Sequence, residues 1–232
     1  MRKLKFSLSE FYHLYNRGVD RRVIFENAQD YKRFLVYLRL LNDEGSVRVN
    51  NIFTSDKSVA EIYNIEQKSP LVAIGAYCLM PNHFHLLVTP LVEGGLSRFM
   101  QRLQTAHTMY FNQKYERTGS LFQGTFKAEH VDDDVYMRYL YAYIHLNPAK
   151  LKDPLWKERK SRDFQKMEDF ILTYPYSSVG EYVNRKHTIT NPKLFPEYFS
   201  SEFDFSQELI FWLNYPLSKK DDSRDLGAPS KA

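Results

Sequence analysis

The sequence predicts an α+β fold in which helices pack on one central antiparallel sheet. Segments that alternate like strands and segments with helical periodicity interleave along the chain. Two of the strand segments flank a corner too short for a crossover helix, which favours antiparallel pairing. The hydrophobic content of 43% in 232 residues is enough for one sizeable core.

The first part of the chain predicts a strand, a helix and an insertion. Residues 11–18, FYHLYNRG, have the composition of a strand that ends at a glycine. Residues 27–45 place apolar side chains at helical spacing, with Asn27 as the N-cap and a closing glycine. Residues 46–69 are polar and irregular, which predicts an insertion with a short helix within SVAEIYNIE.

The middle of the chain predicts a pair of adjacent strands. Residues 71–80, LVAIGAYCLM, and residues 84–90, FHLLVTP, are apolar runs on either side of a corner formed by Met80, Pro81 and Asn82. Because the corner is short, we expect the two runs to be neighbours in the sheet.

Two further helices and one strand follow. The pattern predicts a helix over 94–119, and residues 120–131 alternate as a strand or ribbon. A second helix, over 132–148, begins with three aspartates at its positive end and stops at Pro148. Beyond this helix the pattern weakens, and we expect residues 218–232 to be disordered.

Composition predicts a cytoplasmic protein without a membrane partner. The single cysteine, Cys78, cannot form an intrachain disulfide, which fits a reducing compartment. The first residues carry charge without the apolar run of a signal peptide. No segment has the roughly 20 apolar residues that a membrane helix needs. The net charge of +4 gives a mild preference for a polyanionic partner.

Two histidines open the second strand of the predicted pair. His83 and His85 stand two residues apart, so their side chains point to the same face of a strand. Two imidazoles on one face suit a metal ion or a proton relay. The structural alternative is a pair of hydrogen-bonded polar residues at a strand edge, and the spacing alone leaves this choice open.

The helix over 132–148 carries groups that such a metal site needs. Tyr143 and Asn147 are four residues apart and share a helical face near the carboxyl end. An amide oxygen can join two imidazoles around a hard cation, and a phenol one turn earlier would lie beside it. The aspartates Asp132–Asp134 are more typical of a helix cap than of a ligand set. Because four tyrosines crowd this helix, spacing alone does not choose a nucleophile.

Five motifs, taken in order, resemble the single-tyrosine HUH transposases, and the resemblance is closest to the REP-associated tyrosine transposases. The motifs are YHLYNRGVDRRVIF, MPNHFHLLV, GSLFQGTFKAEHV, YLYAYIHLNPAK and YPYSSVGEY, which span roughly residues 11–183. The resemblance implies a ferredoxin-like sandwich. We therefore expect a transposase-like nuclease domain over 1–185 and a C-terminal extension over 186–232.

The resemblance also implies a set of roles. His83, His85 and Asn147 match ligands of Mg²⁺ or Mn²⁺, and Tyr143 matches the nucleophile. Attack by this tyrosine would leave a 5′-phosphotyrosine and a free 3′-hydroxyl on single-stranded DNA at hairpin-forming repeats. Tyr110 and Tyr115 are the fallback nucleophiles if this register is wrong.

Several cationic residues are candidates for contacts with DNA phosphates. Arg17, Arg21 and Arg22 follow the first strand and form the strongest group, because they lie within a motif of the resemblance. The other candidates are Arg98, Arg102 and Lys127. For each, a solvated surface charge is the structural alternative.

Three other functions compete with the nuclease hypothesis. A non-catalytic regulator that binds palindromic DNA would not need His83, His85, Tyr143 and Asn147 together. A metal hydrolase would use the same histidines with water as the nucleophile. A replication-initiator or relaxase-type enzyme commonly has an additional tyrosine or a third histidine, and the motifs show neither. Both a monomer and a homodimer fit the sequence, and we favour the monomer.

Overall fold

Four antiparallel strands form the central sheet, in the order β2-β3-β1-β4. The computed structural model describes residues 4–45, 59–154, 156, 164–199 and 201–214. The strands are β1 Phe11–Arg17, β2 Val72–Met80, β3 His83–Pro90 and β4 Lys127–Val131. Each neighbouring pair is antiparallel. The β-α-β-β-α-β run with this strand order is ferredoxin-like, which confirms the predicted fold class.

Helices lie on both faces of the sheet. Those that the structure describes are α1 Ala28–Leu40, α2 Val59–Tyr63, α3 Gly95–Lys114, α4 Asp134–Leu146, α5 Ala149–Lys152, α6 Phe164–Leu172, α7 Val179–Val183 and α8 Glu202–Asn214. Short 3₁₀ turns occur at Val19–Arg21 and Pro192–Leu194. None of the described helices is both long and apolar enough to cross a membrane.

The sheet separates two apolar cores. Phe84, Leu86 and the other strand residues that share their face of the sheet pack against α1 and α3. Leu87 of β3 belongs to the second core, which contains buried residues of α4, α6, α7 and α8. Because side chains alternate along a strand, His83 and His85 share the face of Leu87 and lie under α4.

Most predicted elements are present but shorter than their sequence patterns. The capping box at Asn27 confirms the start of α1. The helix ends at Leu40 because the Asn42 amide instead binds the start of β2, accepting from the backbone N–H of Leu71 and Val72 at 3.1 and 2.9 Å. The predicted strand over 120–131 is a strand only from Lys127.

Asp133 caps α4, as predicted for the aspartates at the start of this helix, and Asp134 is the first helical residue. The Asp133 carboxylate accepts from the backbone N–H of Tyr136 at 2.6 Å. This contact satisfies a free N–H group of the first turn and places the negative charge at the positive end of the helix dipole.

Parts of the predicted insertion and C-terminal extension lie outside the described residues. These parts are residues 46–58, 200 and 215–232, and the last range includes the whole segment predicted to be disordered. The short helix expected within the insertion is α2. In the extension, α8 packs against α4, where Glu208 forms a bidentate ion pair with Arg138 at 2.7 and 2.8 Å. The predicted boundary at residue 185 stays a prediction.

Candidate active site

His83 and His85 lie side by side at the start of β3. Their ring centroids are 5.1 Å apart, with the ring planes at 89°. His85 is fully buried, whereas His83 is partly exposed at the end of the sheet. The two imidazoles therefore lie on the same face of the strand, as the two-residue spacing predicted, and this is the face that α4 covers.

Each of these histidines contacts a different neighbour through Nδ1. The Nδ1 atom of His83 lies 2.7 Å from the Oδ1 atom of Asn82. The Nδ1 atom of His85 lies 2.9 Å from the Nε2 atom of His13, on β1. Because an amide oxygen only accepts, His83 donates from Nδ1 and keeps the lone pair on Nε2.

Helix α4 places Tyr143 against His85. The two ring centroids are 5.5 Å apart and the ring planes meet at 86°. The Tyr143 side chain is 7% exposed, so little water reaches it. The ammonium nitrogen of Lys150 lies 5.9 Å from the Tyr143 ring centroid. A cationic side chain therefore lies near the Tyr143 ring.

Asn147 follows the last turn of α4 with its amide held in one orientation. Its Nδ2 donates to the backbone carbonyl of Tyr143 at 2.9 Å. Its Oδ1 is buried and has no hydrogen-bond partner within the described ranges. The same is true of the Nε2 atom of His85. Leaving such atoms unpaired costs about 1–3 kcal/mol each.

This donor set fits a divalent cation. Imidazole nitrogens together with an amide oxygen suit Mn²⁺, and Mg²⁺ accepts the oxygen ligand. Among the residues that the structure describes, no three His, Cys, Asp or Glu side chains cluster as a metal site would require. Asn147 therefore stays the predicted third ligand beside His83 and His85, through its amide oxygen.

Burial keeps the imidazoles of His13 and His85 neutral. It lowers the pKa of His13 to about 3. Burial, reinforced by charge on His83 and His13, holds the pKa of His85 well below its ordinary value. Neutral imidazole is the form that binds a metal ion, so the lowered pKa of His85 is compatible with its predicted role as a ligand.

Two predicted DNA-binding residues share this face of the sheet. Arg17 is paired with His83 across strands β1 and β3. Tyr15 is paired with His85 on one side and with Lys127 on the other. Directly paired residues point to the same face, so Arg17 and Lys127 flank the histidines. The Arg17 guanidinium also donates to the Gln123 side chain.

Arg21 and Arg22 lie in an exposed loop that Asn82 ties to the histidine strand. The Asn82 side chain donates to the Arg21 carbonyl at 3.2 Å, and the Asn82 backbone carbonyl accepts from Gly18 N–H at 2.9 Å. A Cβ on Gly18 would lie 2.2 Å from the Arg22 carbonyl oxygen, so only glycine fits this turn. The structure thus brings the Arg17–Arg22 group to the end of the sheet where His83 lies.

The structure does not bring Arg98 and Arg102 to this site. Both lie on α3, which packs on the opposite face of the sheet. Arg98 binds the Glu44 carboxylate at 3.1 Å, and Arg102 donates to the Glu44 carbonyl at 3.3 Å. These contacts join α3 to the segment that follows α1. A DNA-binding role for the two arginines stays a prediction, and their position favours a structural one.

Of the fallback nucleophiles, Tyr110 lies on α3 and Tyr115 directly follows it. The hydroxyls of Tyr110 and Tyr115 donate to the buried Asp30 carboxylate at 2.7 and 2.8 Å. This network, which Lys114 completes at 2.6 Å, joins α3 to the start of α1 on the face away from the histidines. Neither tyrosine is positioned to replace Tyr143.

Sequence reasoning missed three residues that surround the site. His13 contacts His85, Lys150 lies near Tyr143, and Glu129 is paired with His13 across β1 and β4. Burial raises the pKa of the Glu129 carboxyl, although the Tyr15 and Tyr136 hydroxyls oppose the shift. The sequence contained one indication for His13: it stands two residues before Tyr15 and four before Arg17, so these side chains share a face of β1.

The site lies within a region that matches one protein family. The family described as "Transposase IS200 like" matches residues 11–147, from the first residue of β1 to Asn147. The chain therefore belongs to the IS200-like transposase family and has a transposase-like, DNA-acting function. This match confirms the resemblance predicted from the motifs.

Comparison with solved structures gives a more distant likeness. The chain is similar to the protein in "Structure of the REP associates tyrosine transposase bound to a REP hairpin", with 14% sequence identity and a TM-score of 0.45. The similarity covers 87% of this chain and 94% of that one. Among curated proteins, none matches this chain.

Proposed function

We propose that this transposase-family protein cleaves and rejoins single-stranded DNA, with Tyr143 as the nucleophile and a divalent cation at His83, His85 and Asn147. One observation carries the proposal: the Tyr143 ring lies 5.5 Å from the ring of His85, whose Nε2 is buried without a partner among the described residues. The proposed nucleophile and one proposed ligand are therefore neighbouring side chains.

The chemistry follows from these groups. The Tyr143 oxygen attacks the scissile phosphorus, so that the phenol loses its proton and a new P–O bond forms. The bond to the 3′-oxygen breaks, and this oxygen takes up a proton. A 5′-phosphotyrosine and a free 3′-hydroxyl result, and attack by another 3′-hydroxyl reverses the step and joins strands. The cation, when bound, would polarise a phosphate oxygen and stabilise the charge of the transition state.

Cationic residues at the same end of the sheet support DNA as the substrate. Arg17 and Lys127 flank the histidines, and the exposed Arg21 and Arg22 lie next to Asn82. Neutralising phosphates at these positions would guide a strand toward Tyr143. We propose hairpin-forming repeats as the substrate class, because the motifs resemble those of the REP-associated enzymes.

The proposed site needs no second chain. Tyr143 and both histidines come from one chain, which supports catalysis within a monomer, although a homodimer could contain two such sites. We also propose a cytoplasmic location, in keeping with a single, buried, unpaired cysteine.

A denaturing gel tests the nuclease and its nucleophile together. The protein is incubated with a single-stranded DNA hairpin, with and without Mn²⁺, and covalent protein–DNA adducts are measured. We expect a Mn²⁺-dependent adduct that is lost in Tyr143→Phe and in His83→Ala. Tyr139→Phe is the matched control, since Tyr139 lies one turn earlier with its ring 6.0 Å from that of Tyr143. This control should still form the adduct.

Other results would favour the competing functions. Cleavage that survives Tyr143→Phe would favour a hydrolase with water as the nucleophile. Tight hairpin binding without cleavage, with every divalent cation tried, would favour a non-catalytic DNA regulator.

A further inference from the structure

His13 is the buried neighbour of His85 to which the proposed function gives no role. Its Nε2 atom lies 2.9 Å from the Nδ1 atom of His85. The two rings are nearly parallel, with centroids 5.1 Å apart and planes at 19°. His13 is 1% exposed and His85 is 0% exposed, so bulk water does not compete for this hydrogen bond.

The direction of this hydrogen bond decides whether His85 can bind a cation. A neutral imidazole has a proton on one nitrogen and a lone pair on the other. If His85 donates from Nδ1, its Nε2 keeps the lone pair that a cation needs. If His13 donates instead, the proton of His85 sits on Nε2 and blocks ligation. The ligand form of His85 therefore requires His13 as the acceptor.

We propose that His13 is a positioning residue of the cation site, which rests on the proposed function. By accepting from Nδ1 of His85, it fixes the tautomer and the ring plane that direct the Nε2 lone pair at the cation. Asn82 does the same for His83 through its amide oxygen. The two candidate ligands are thus held from two different parts of the sheet, the β2–β3 corner and strand β1. Such partners of metal ligands raise metal affinity.

Packing alone does not account for a histidine at this position. The His13 ring contacts the rings of Tyr15 at 5.2 Å and Tyr143 at 6.0 Å. An apolar side chain would fill this space. The other ring nitrogen of His13, Nδ1, is buried without a partner in the described part of the chain, which costs stability. The hydrogen bond to His85 is the contact that only a polar residue supplies.

Two substitutions in the full chain separate positioning from packing. His13→Leu fills the space without an acceptor. His13→Gln keeps an acceptor oxygen near the place of Nε2. Mn²⁺ affinity is measured on the DNA-free protein by electron paramagnetic resonance, and the His85 tautomer by ¹⁵N–¹H correlation of imidazole signals without metal. Thermal unfolding of each variant reports its stability.

We expect His13→Leu to weaken Mn²⁺ binding by about 10- to 100-fold and to move the proton of His85 to Nε2, without a lower unfolding temperature. His13→Gln should retain affinity near that of the wild type. Unchanged affinity in His13→Leu, alongside loss of binding in His85→Ala, would overturn the proposal. So would loss of affinity and unfolding temperature together in both His13 variants.

The same measurements keep this proposal apart from the proposed function. A wild-type protein that binds no Mn²⁺ would contradict the cation site itself. The tautomer of His85 would then still decide the role of His13. A proton on Nδ1 in the wild type that moves to Nε2 in His13→Leu would support positioning, and a proton on Nε2 in the wild type would overturn it.

Discussion

The ring of Tyr143 stands edge-on to the ring of His85, with centroids 5.5 Å apart and planes at 86°. Helix α4 and strand β3 of one chain therefore supply the two groups. Both elements also belong to the apolar core on that face. A variant at this site has to be compared with one that changes similar packing elsewhere, because loss of chemistry and loss of stability otherwise look alike.

Asn147→Asp should make the unfolding temperature depend on Mn²⁺. The new carboxylate would be buried at the negative end of the α4 dipole, beside the Tyr143 carbonyl. Without a cation, we expect the free energy of unfolding to fall by about 1–3 kcal/mol. Saturating Mn²⁺ should restore most of this loss, since a ligand that binds only the folded state stabilises it. Thermal unfolding with and without Mn²⁺ measures both effects.

Asn184 provides the matched control for this substitution. Like Asn147, it follows the last residue of a helix and donates from Nδ2 to the carbonyl four residues earlier, here Gly180 at 2.7 Å. Its side chain is exposed. Asn184→Asp should change the unfolding temperature little, and equally with and without Mn²⁺. An equal Mn²⁺ response in the two variants would argue against Asn147 as a ligand.

Acid should destabilise the protein through buried histidines outside the site. Burial lowers the pKa of His107 to about 4 and that of His145 to about 4. In the unfolded chain, each histidine has the ordinary pKa of about 6.5. The contribution of these neutral histidines to the free energy of unfolding is therefore fully present above pH 6.5, and it is lost as the pH falls toward 4. Together they give a slope of about 2.7 kcal/mol per pH unit, measurable by urea unfolding without divalent metal.

His107→Phe should remove half of this contribution. The His107 ring lies among phenylalanine rings, with Phe25 and Phe34 each 5.0 Å away, so an aromatic apolar side chain suits the space. The slope of the unfolding free energy against pH should fall by about 1.4 kcal/mol per pH unit. A slope equal to that of the wild type would show that His107 does not titrate on unfolding.

Removing Arg22 or Lys127 should weaken hairpin binding in a salt-dependent way. Both side chains are exposed and lie at the end of the sheet where the histidines open β3. Each alanine variant should reduce the slope of log affinity against log salt concentration by about 0.7 to 1, as expected for the loss of one phosphate contact. Fluorescence anisotropy at several salt concentrations measures this slope.

Arg98→Ala is the comparison for these variants. Arg98 is a half-exposed cation on α3 that binds Glu44 and the Glu93 carbonyl. Its removal should leave the salt slope unchanged. A reduction equal to that of Arg22→Ala would place DNA on the layer formed by α1 and α3, as the sequence hypothesis for Arg98 and Arg102 requires.

Gly18→Ala should lower stability and hairpin affinity together. The added Cβ would approach the Arg22 carbonyl oxygen to 2.2 Å and the Ile24 side chain to 2.9 Å. The loop that carries Arg21 and Arg22 would have to move, and overpacking of this kind costs about 1–3 kcal/mol. Urea unfolding and anisotropy measure the two losses.

Gly180→Ala should raise stability, whereas Gly18→Ala should lower it. Gly180 lies within α7, and an added Cβ there would come no closer than 3.9 Å, to the Asn184 side chain. Alanine favours a helix by about 0.5–1 kcal/mol over glycine, so stability should rise and hairpin affinity should stay the same. If Gly18→Ala behaved like Gly180→Ala, the loop would not be held as tightly as its contacts indicate.

The sequence predicted the local parts of the site well because they depend on short periods. Two residues on a strand and four on a helix define a face without knowledge of the fold, so His83 could be grouped with His85 and Tyr143 with Asn147. The choice of Tyr143 among the tyrosines of this helix came from the family resemblance. The interpretation of the aspartates before α4 as a cap rested on the same local physics. Their roles as ligands and nucleophile stay predictions.

Relations between distant parts of the chain could not be predicted in this way. The contact of His13 with His85 depends on the register of β1 against β3, which no spacing along the chain reveals. Arg98 resembled a free cation in the sequence, but its partner Glu44 follows a helix whose end is set by the Asn42 contacts with β2. Tertiary contacts, not composition, separated the two arginine groups.

Asn82 has a consequence for how the protein would respond to its substrate. One amide holds the His83 ring through Oδ1 and the Arg21 carbonyl through Nδ2, while its backbone carbonyl holds Gly18. A displacement of the arginine loop would therefore be transmitted to the His83 imidazole through the hydrogen bonds of a single residue. The proposed binding of a DNA strand to this loop would therefore also shift the His83 ring.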